Sequence, residues 1–398
     1  MAQEPLKGLR AIEFGQLLAG PFTGTLLGDF GADVIKVEPP GNGDAMRDWG
    51  RLRHNDHSLW WTILARNKRS VALNLRTPEG QAIARKLAAS ADIVLENFRP
   101  GTMEKWGLGP EDIHALNPKV IYARVSGYGQ TGRYAHRPGF ASAGEAISGL
   151  RYINGYPGQA PPRNGISLGD TLAAQSAFQG ILLALIARSN GADGQVVDAG
   201  IVDACFAMSE SSTLEYEKTG FVREPTGPRL PRIAPSNVYR SKDGKWVVIA
   251  ANHDTLWRRL AALMGKPELG EDPRFATHHA RGEHEDLLDE IIGEFAARHT
   301  AAELDRIVNE GGVVCAPVYS AKDVYEDPYF RERELLVEME DEVHGRVTVP
   351  GVVPKLSRTP GSIRQPARWT VGADTEAVLE ELGVDAAERE RLADAGVI

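Results

Sequence analysis

Short apolar runs alternate with amphipathic stretches through the first half of the chain. Residues 9–14 and 33–38 read as buried strands, separated by a turn at 15–21 and a helix over 22–30, which together form a βαβ unit. Thr77-Pro78-Glu79 joins a capping hydroxyl to a proline in the first turn and starts a helix over 80–91, which leads into an apolar strand at 93–95. Pro110 opens a short helix to Leu116, and 120–126 is again a strand. A longer apolar helix is expected over 172–187. Alternation of this kind implies a largely parallel sheet, with a ligand crevice where the loops at Pro100-Gly101 and 127–132 leave the strand ends.

The pattern changes after Pro225. Proline and glycine cluster at 156–165 and again at 225–235, where Arg229 and Arg232 are interleaved, and the second cluster reads as a domain boundary. Beyond it come a strand at 245–251 and helices at 255–264, 283–298 and 301–310. C-terminal helices at 376–382 and 386–395 are placed to return to the first domain. The expected fold is α/β, a Rossmann-like large domain with a parallel sheet (1–224 and 321–398) plus a smaller α+β domain (225–320).

Composition narrows the function classes. A 398-residue chain with 42% hydrophobic residues has material for two cores, and its 45 Lys+Arg against 54 Asp+Glu leave a net charge of -9. That balance argues against broad binding to nucleic acid or to an anionic membrane and favours a small-molecule ligand. Two distant cysteines, Cys205 and Cys315, fit a reducing compartment, and the cytoplasm is the expected location. No leader pattern opens the chain, and the longest apolar run, 177–187, contains Gln179 and falls short of a membrane span.

One carboxylate stands out. Asp170, in Ser167-Leu168-Gly169-Asp170-Thr171, lies at the start of the long apolar helix, where it fits either a helix cap or a nucleophile. On the second reading the helix start favours the ionised acid, and Gly169 leaves room for a substrate. Glu38 ends the second strand where dinucleotide folds keep a ribose-binding acid, but Gly15 and Gly20 lack the spacing G-x-G-x-x-G, so the nicotinamide reading is weak. His278, His279 and His284 lie in a polar segment without cysteine, a poor metal pattern. Trp49, Trp60 and Trp61 suit core packing better than a pocket lining, and Arg47, Arg51 and Arg53 in the same loop offer a place for a second carboxylate.

Several ordered blocks then coincide: Leu18-Ala19-Gly20-Pro21, the run from Leu27 to Glu38, Asn67-Lys68-Arg69-Ser70, Glu96-Asn97-Phe98-Arg99-Pro100-Gly101 and Gly169-Asp170. With them the chain resembles the class III coenzyme A transferases, the CaiB/BaiF family, over essentially its whole length. The resemblance implies that Asp170 is the catalytic nucleophile, forming an aspartyl anhydride and then an enzyme-CoA thioester as CoA passes from an acyl-CoA to a free acid. Coenzyme A is then a thioester co-substrate, with no metal and no redox cofactor. It also implies CoA contacts at Gln16, Leu73, Asn97, Phe98 and Lys105, with Arg99 and Arg137 near the phosphates, and an interlocked homodimer. Succinyl-CoA-dependent dicarboxylate enzymes are nearest in character.

Departures from the family pattern refine this expectation. Pro39 replaces an arginine that meets the nucleotide end of CoA in relatives, leaving Lys36, Lys68 or Arg69 to supply that anchor. Gly139-Phe140-Ala141 replaces the Gly-His-Asp segment of the racemase branch. Phenylalanine moves no proton, which favours transferase over racemase; many transferases have tyrosine and an acid there, and Glu145 is a candidate substitute. Gly127, Gly129 and Gly132 are candidate oxyanion donors. A non-catalytic acyl-CoA binder remains the alternative of another class, with Asp170 arguing against it.

Overall fold

Residues 4–398 are described by a computed structural model. They divide into two compact units: residues up to 151, 163–218 and 328–398 form the larger, and 152–162 with 219–327 the smaller. The division expected at 224/225 and 320/321 thus shifts, and 152–162 joins the smaller unit. Hydrogen bonds explain this: Gly227 N donates to Gly155 O at 2.7 Å, and Tyr152 Oη donates to Glu224 Oε1 at 2.8 Å.

Six parallel strands make the sheet of the larger unit: β1 (Arg10–Glu13), β2 (Asp33–Glu38), β3 (Lys68–Ala72), β4 (Ile93–Glu96), β5 (Ile121–Ser126) and β6 (Val196–Gly200). Their order is β3-β2-β1-β4-β5-β6, so the winding reverses between β1 and β4. Loops leaving these two strands go opposite ways and open a crevice at their carboxyl ends.

Alternate residues of each strand face opposite cores because the side-chain period of a strand is two. Ile12, Ile35, Val37, Val71 and Val94 face helix α1 (Pro78–Ala89) and the C-terminal helices Thr375–Glu381 and Ala386–Asp394. Ala11, Val34, Ile93, Leu95 and Ala123 belong to the other core, with helix Ala19–Asp29 and helix α2 (Leu168–Ser189). With both faces covered, the strands read as continuous apolar runs.

The start of α2 corrects an expectation. The helix begins at Leu168, before the expected residue 172, so Asp170 lies inside its first turn and Ser167 is the N-cap. The helix is also longer than the apolar run suggested, and by length and composition it is apolar enough to cross a membrane. Here Ala173, Ala177, Ile181 and Ala184 pack it against the sheet.

The smaller unit has an antiparallel sheet of β7 (Ser236–Arg240), β8 (Trp246–Ala250) and β9 (Val314–Pro317), in the order β9-β8-β7. Trp257, Phe275, Leu288, Ile292 and Leu304 fill its core with helices Asp254–Leu263, Glu285–Ala296 and Ala301–Glu310. The helix expected over 283–298 is interrupted at His284.

Candidate active site

A cleft of about 460 Å³ opens at the winding reversal, lined by the loop after β1, by Asn97 after β4, by Val125 to Gly127 at the end of β5 and by the first turn of α2. The β1 loop is held open. Asn97 Oδ1 accepts from Gln16 N and Asn97 Nδ2 donates to Gln16 O, each at 2.8 Å. Asp44 Oδ1 accepts from Leu17 N at 3.0 Å, and Leu17 takes the strained φ of 63°. A Cβ on Gly15 would stand 2.9 Å from Asn97 Oδ1, so glycine permits this clamp.

Among the described residues, Asp170 is the only acidic side chain lining the cleft. Burial and the neighbouring Glu145 carboxylate push its pKa up to about 6, against the opposing pull of Arg163 and of a hydrogen bond from Ala141 N–H. Desolvation is the largest influence, so the acid is held above its ordinary value although it stands in the first turn of α2. Glu145 itself is buried and spends its Oε1 on Gly169 N at 3.1 Å, so it caps α2 from below and does not line the cleft. Gly169 also has a different purpose from the expected one. A Cβ there would lie 3.1 Å from Ala141 O and from Ile201 Cγ2, so the glycine allows α2 to pack against the segment at Ala141.

Beneath the β1 loop runs a buried layer of charges. Lys36 Nζ lies 2.8 Å from Glu13 and 2.7 Å from Asp44, and Lys68 Nζ lies 2.8 Å from the other oxygen of Glu13. Glu38 binds Arg47 through both oxygens at 2.8 Å and accepts from Ser70 Oγ at 2.7 Å. Burial lowers Lys68 to about 8, a shift that Glu13 only partly offsets. Asp44 and Glu38 are pulled down despite burial, chiefly by Lys36 and Arg47 respectively.

That layer overturns several expectations. Lys36 and Lys68 are 2% exposed and paired, and Arg69 is bound to Asp33 and Glu381, so none of the three stands in for the arginine missing at Pro39. Arg47 is taken by Glu38 and by stacking 3.9 Å over Trp61, and Arg53 by Asp48, which removes both as receivers of a substrate carboxylate. Glu38, tied to Arg47, is no ribose ligand. Trp61 is core, whereas Trp49 is 48% exposed and lines the cleft.

Of the expected contact residues, the structure brings Gln16, Asn97 and Asp170 together in the cleft. Leu73 is 1% exposed within the core behind the strand ends, so its side chain packs and does not reach the cleft. Phe98 stacks edge-on against Trp106 with ring centroids 5.4 Å apart. Arg99 and Lys105 are exposed on the β4 exit and Arg137 is stacked 3.8 Å over Tyr134, all outside the cleft lining. Gly127 lines it, with Gly129 and Gly132 outside. His278 is bonded to Asn252 O and His279 faces Glu283; among the described residues no cluster of three or more His, Cys, Asp or Glu is arranged to hold a metal.

Two lining residues escaped the sequence reading. Ser126 Oγ is buried without a hydrogen-bond partner among the described residues, and Arg163 enters from the loop before α2. Neither follows from hydrophobic periodicity: Ser126 ends an apolar strand and Arg163 stands in a proline-rich loop. Phe140, which stands where the racemase branch carries histidine, lines the cleft.

Comparison with known proteins agrees with this geometry. The profile of CoA-transferase family III matches residues 6–375. The succinyl-CoA–D-citramalate CoA-transferase of Chloroflexus aurantiacus is 53% identical over 359 residues, covering 90% of this chain and 89% of that protein. The alpha subunit of the succinyl-CoA–L-malate CoA-transferase of Chloroflexus aurantiacus is 41% identical, covering 100% and 93%. Among solved structures, a CaiB/BaiF family protein from Brucella suis superposes with a TM-score of 0.84 at 30% identity, covering 96% of this chain and 100% of that one. The match of the family profile over residues 6–375, together with a relative 53% identical over 90% of the chain, establishes that the chain belongs to CoA-transferase family III.

Proposed function

We propose that the enzyme moves CoA from succinyl-CoA to a second short dicarboxylic acid, with Asp170 as the covalent relay. The observation that carries this reading is that, among the described residues, Asp170 is the one carboxylate lining the cleft, beside apolar side chains such as Leu18, Met46, Val125 and Ile201. Two relatives named as succinyl-CoA-dependent transferases of dicarboxylic acids support the substrate class.

The ionised Asp170 attacks the thioester carbonyl, the carbon–sulfur bond breaks, and a mixed anhydride and CoA thiolate result. The thiolate then attacks the aspartyl carbonyl and releases succinate, leaving CoA as a thioester on Asp170. An acceptor carboxylate displaces CoA to form a second anhydride. CoA thiolate attacks the acceptor's carbonyl, giving the new acyl-CoA and restoring the Asp170 carboxylate. Each step exchanges one acyl bond for another of similar energy, so the thioester's free energy is kept as long as water stays out. Gly127 N–H and the Ser126 hydroxyl, both in the lining, are the proposed donors to the oxyanions of these additions.

CoA exchange between succinyl-CoA and a panel of acids tests the assignment in wild type, Asp170→Asn and Asp170→Ala. Both variants are expected to lose at least about a thousandfold in kcat, because the covalent path is gone. Undiminished exchange in either variant would falsify the role of Asp170.

A further inference from the structure

The cleft holds a second charged group that the transfer steps leave unused. Arg163 is the single cationic side chain in the lining, and it lies close enough to act on the charge of Asp170. It forms no ion pair and no hydrogen bond among the described residues. Around the two charges, apolar side chains such as Leu18, Met46, Val125 and Ile201 share the lining with polar ones, and Arg163 itself is exposed to solvent. Of the arginines in the loop after β2, Arg47 is held by Glu38, and Arg51 and Arg53 do not line the cleft.

A dicarboxylic acid brings two charges into this space, and only one of its carboxyl groups reacts. A fixed cation in the lining favours an acid whose other carboxylate can reach it over one that carries a methyl group there. We propose that Arg163 is a specificity-determining residue that receives the remote carboxylate of a dicarboxylic acyl group while the near carbonyl reacts at Asp170. The assignment rests on the transferase reading above and adds the residue that recognises its substrate class. A guanidinium suits the task because its planar fork meets both oxygens of a carboxylate. A monocarboxylic acyl chain of equal length fills the same walls but leaves Arg163 unpaired.

The test compares succinyl-CoA with butyryl-CoA as donors to a fixed acceptor, in wild type, Arg163→Lys and Arg163→Gln. The ratio of kcat/KM for the two donors is expected to fall by about 10- to 100-fold in Arg163→Gln, the scale of one charged hydrogen-bonded contact, with Arg163→Lys between. A merely structural role would lower both donors together and leave the ratio where it was, and that result overturns the assignment while the transferase reading stands. No transfer by wild type from either donor overturns both.

Discussion

Burial and Glu145 push the Asp170 carboxyl up to about pKa 6, and the proposed attack requires its ionised form. Transfer is expected to climb about tenfold per pH unit up to that value and level off above it. Glu145→Gln keeps an acceptor for Gly169 N–H and removes the like charge, so it should move the acid limb of the profile to lower pH; a profile that stays in place would deny the coupling. The same shift has a stability consequence. A carboxyl raised from 3.8 to about 6 on folding binds a proton more tightly in the native state, so its ionised form costs stability above pH 6 and nothing below the unfolded value. Asp170→Asn should therefore stabilise the fold at pH 7.5 by about 1–2 kcal/mol, discounted for partial exposure, and the gain should vanish below about pH 4 in urea titrations. Asp170 was legible in the sequence because it stands in an ordered series of family blocks. Arg163 was not: a loop rich in proline and glycine has no period, and the vacancy that makes Arg163 matter appears only once Arg47 and Arg53 are seen to be occupied.

At the scale of elements, the β1 loop is shaped by contacts between residues far apart in the chain. Strands β1, β2, β4, β5 and β8, helix α1 and the C-terminal helices could be read from apolar period and caps, since those signals are local, whereas β3 and β6 were not read. The charged layer could not, because Glu13, Lys36 and Lys68 meet only after three strands pair. Lysines on strands therefore read as surface anchors and proved to be core. Helix Ala19–Asp29 presses directly on that layer: a Cβ on Gly24 would stand 1.9 Å from Glu13 Oε2. Gly24→Ala is expected to cost about 3 kcal/mol or more, by overpacking and by breaking a buried pair. Gly293→Ala, in a helix position with open space beside it, should instead gain about 0.5–1 kcal/mol. Equal effects of the two substitutions on the urea midpoint would show that the close contact at Gly24 is not tight in solution.

The whole molecule leaves much apolar surface uncovered in a single chain. Leu183 and Ile186 on α2 are 67% and 59% exposed, and helix Ser212–Thr219 buries none of its residues. A second copy of the chain is the cover that the family resemblance implies, and light scattering should report twice the 43.3 kDa chain mass. A monomer at micromolar concentration would exclude that arrangement, while the chemistry at Asp170 would stand apart from it. That chemistry meets its most direct test in oxygen transfer. An acceptor acid labelled with heavy oxygen in its carboxylate should, over repeated turnover with succinyl-CoA, leave label in the side chain of Asp170, because the second anhydride breaks on the acceptor's side. Mass spectrometry of the peptide containing Asp170 should then show it heavier by one or two oxygen substitutions. Product accumulation with that peptide unlabelled would contradict the covalent account.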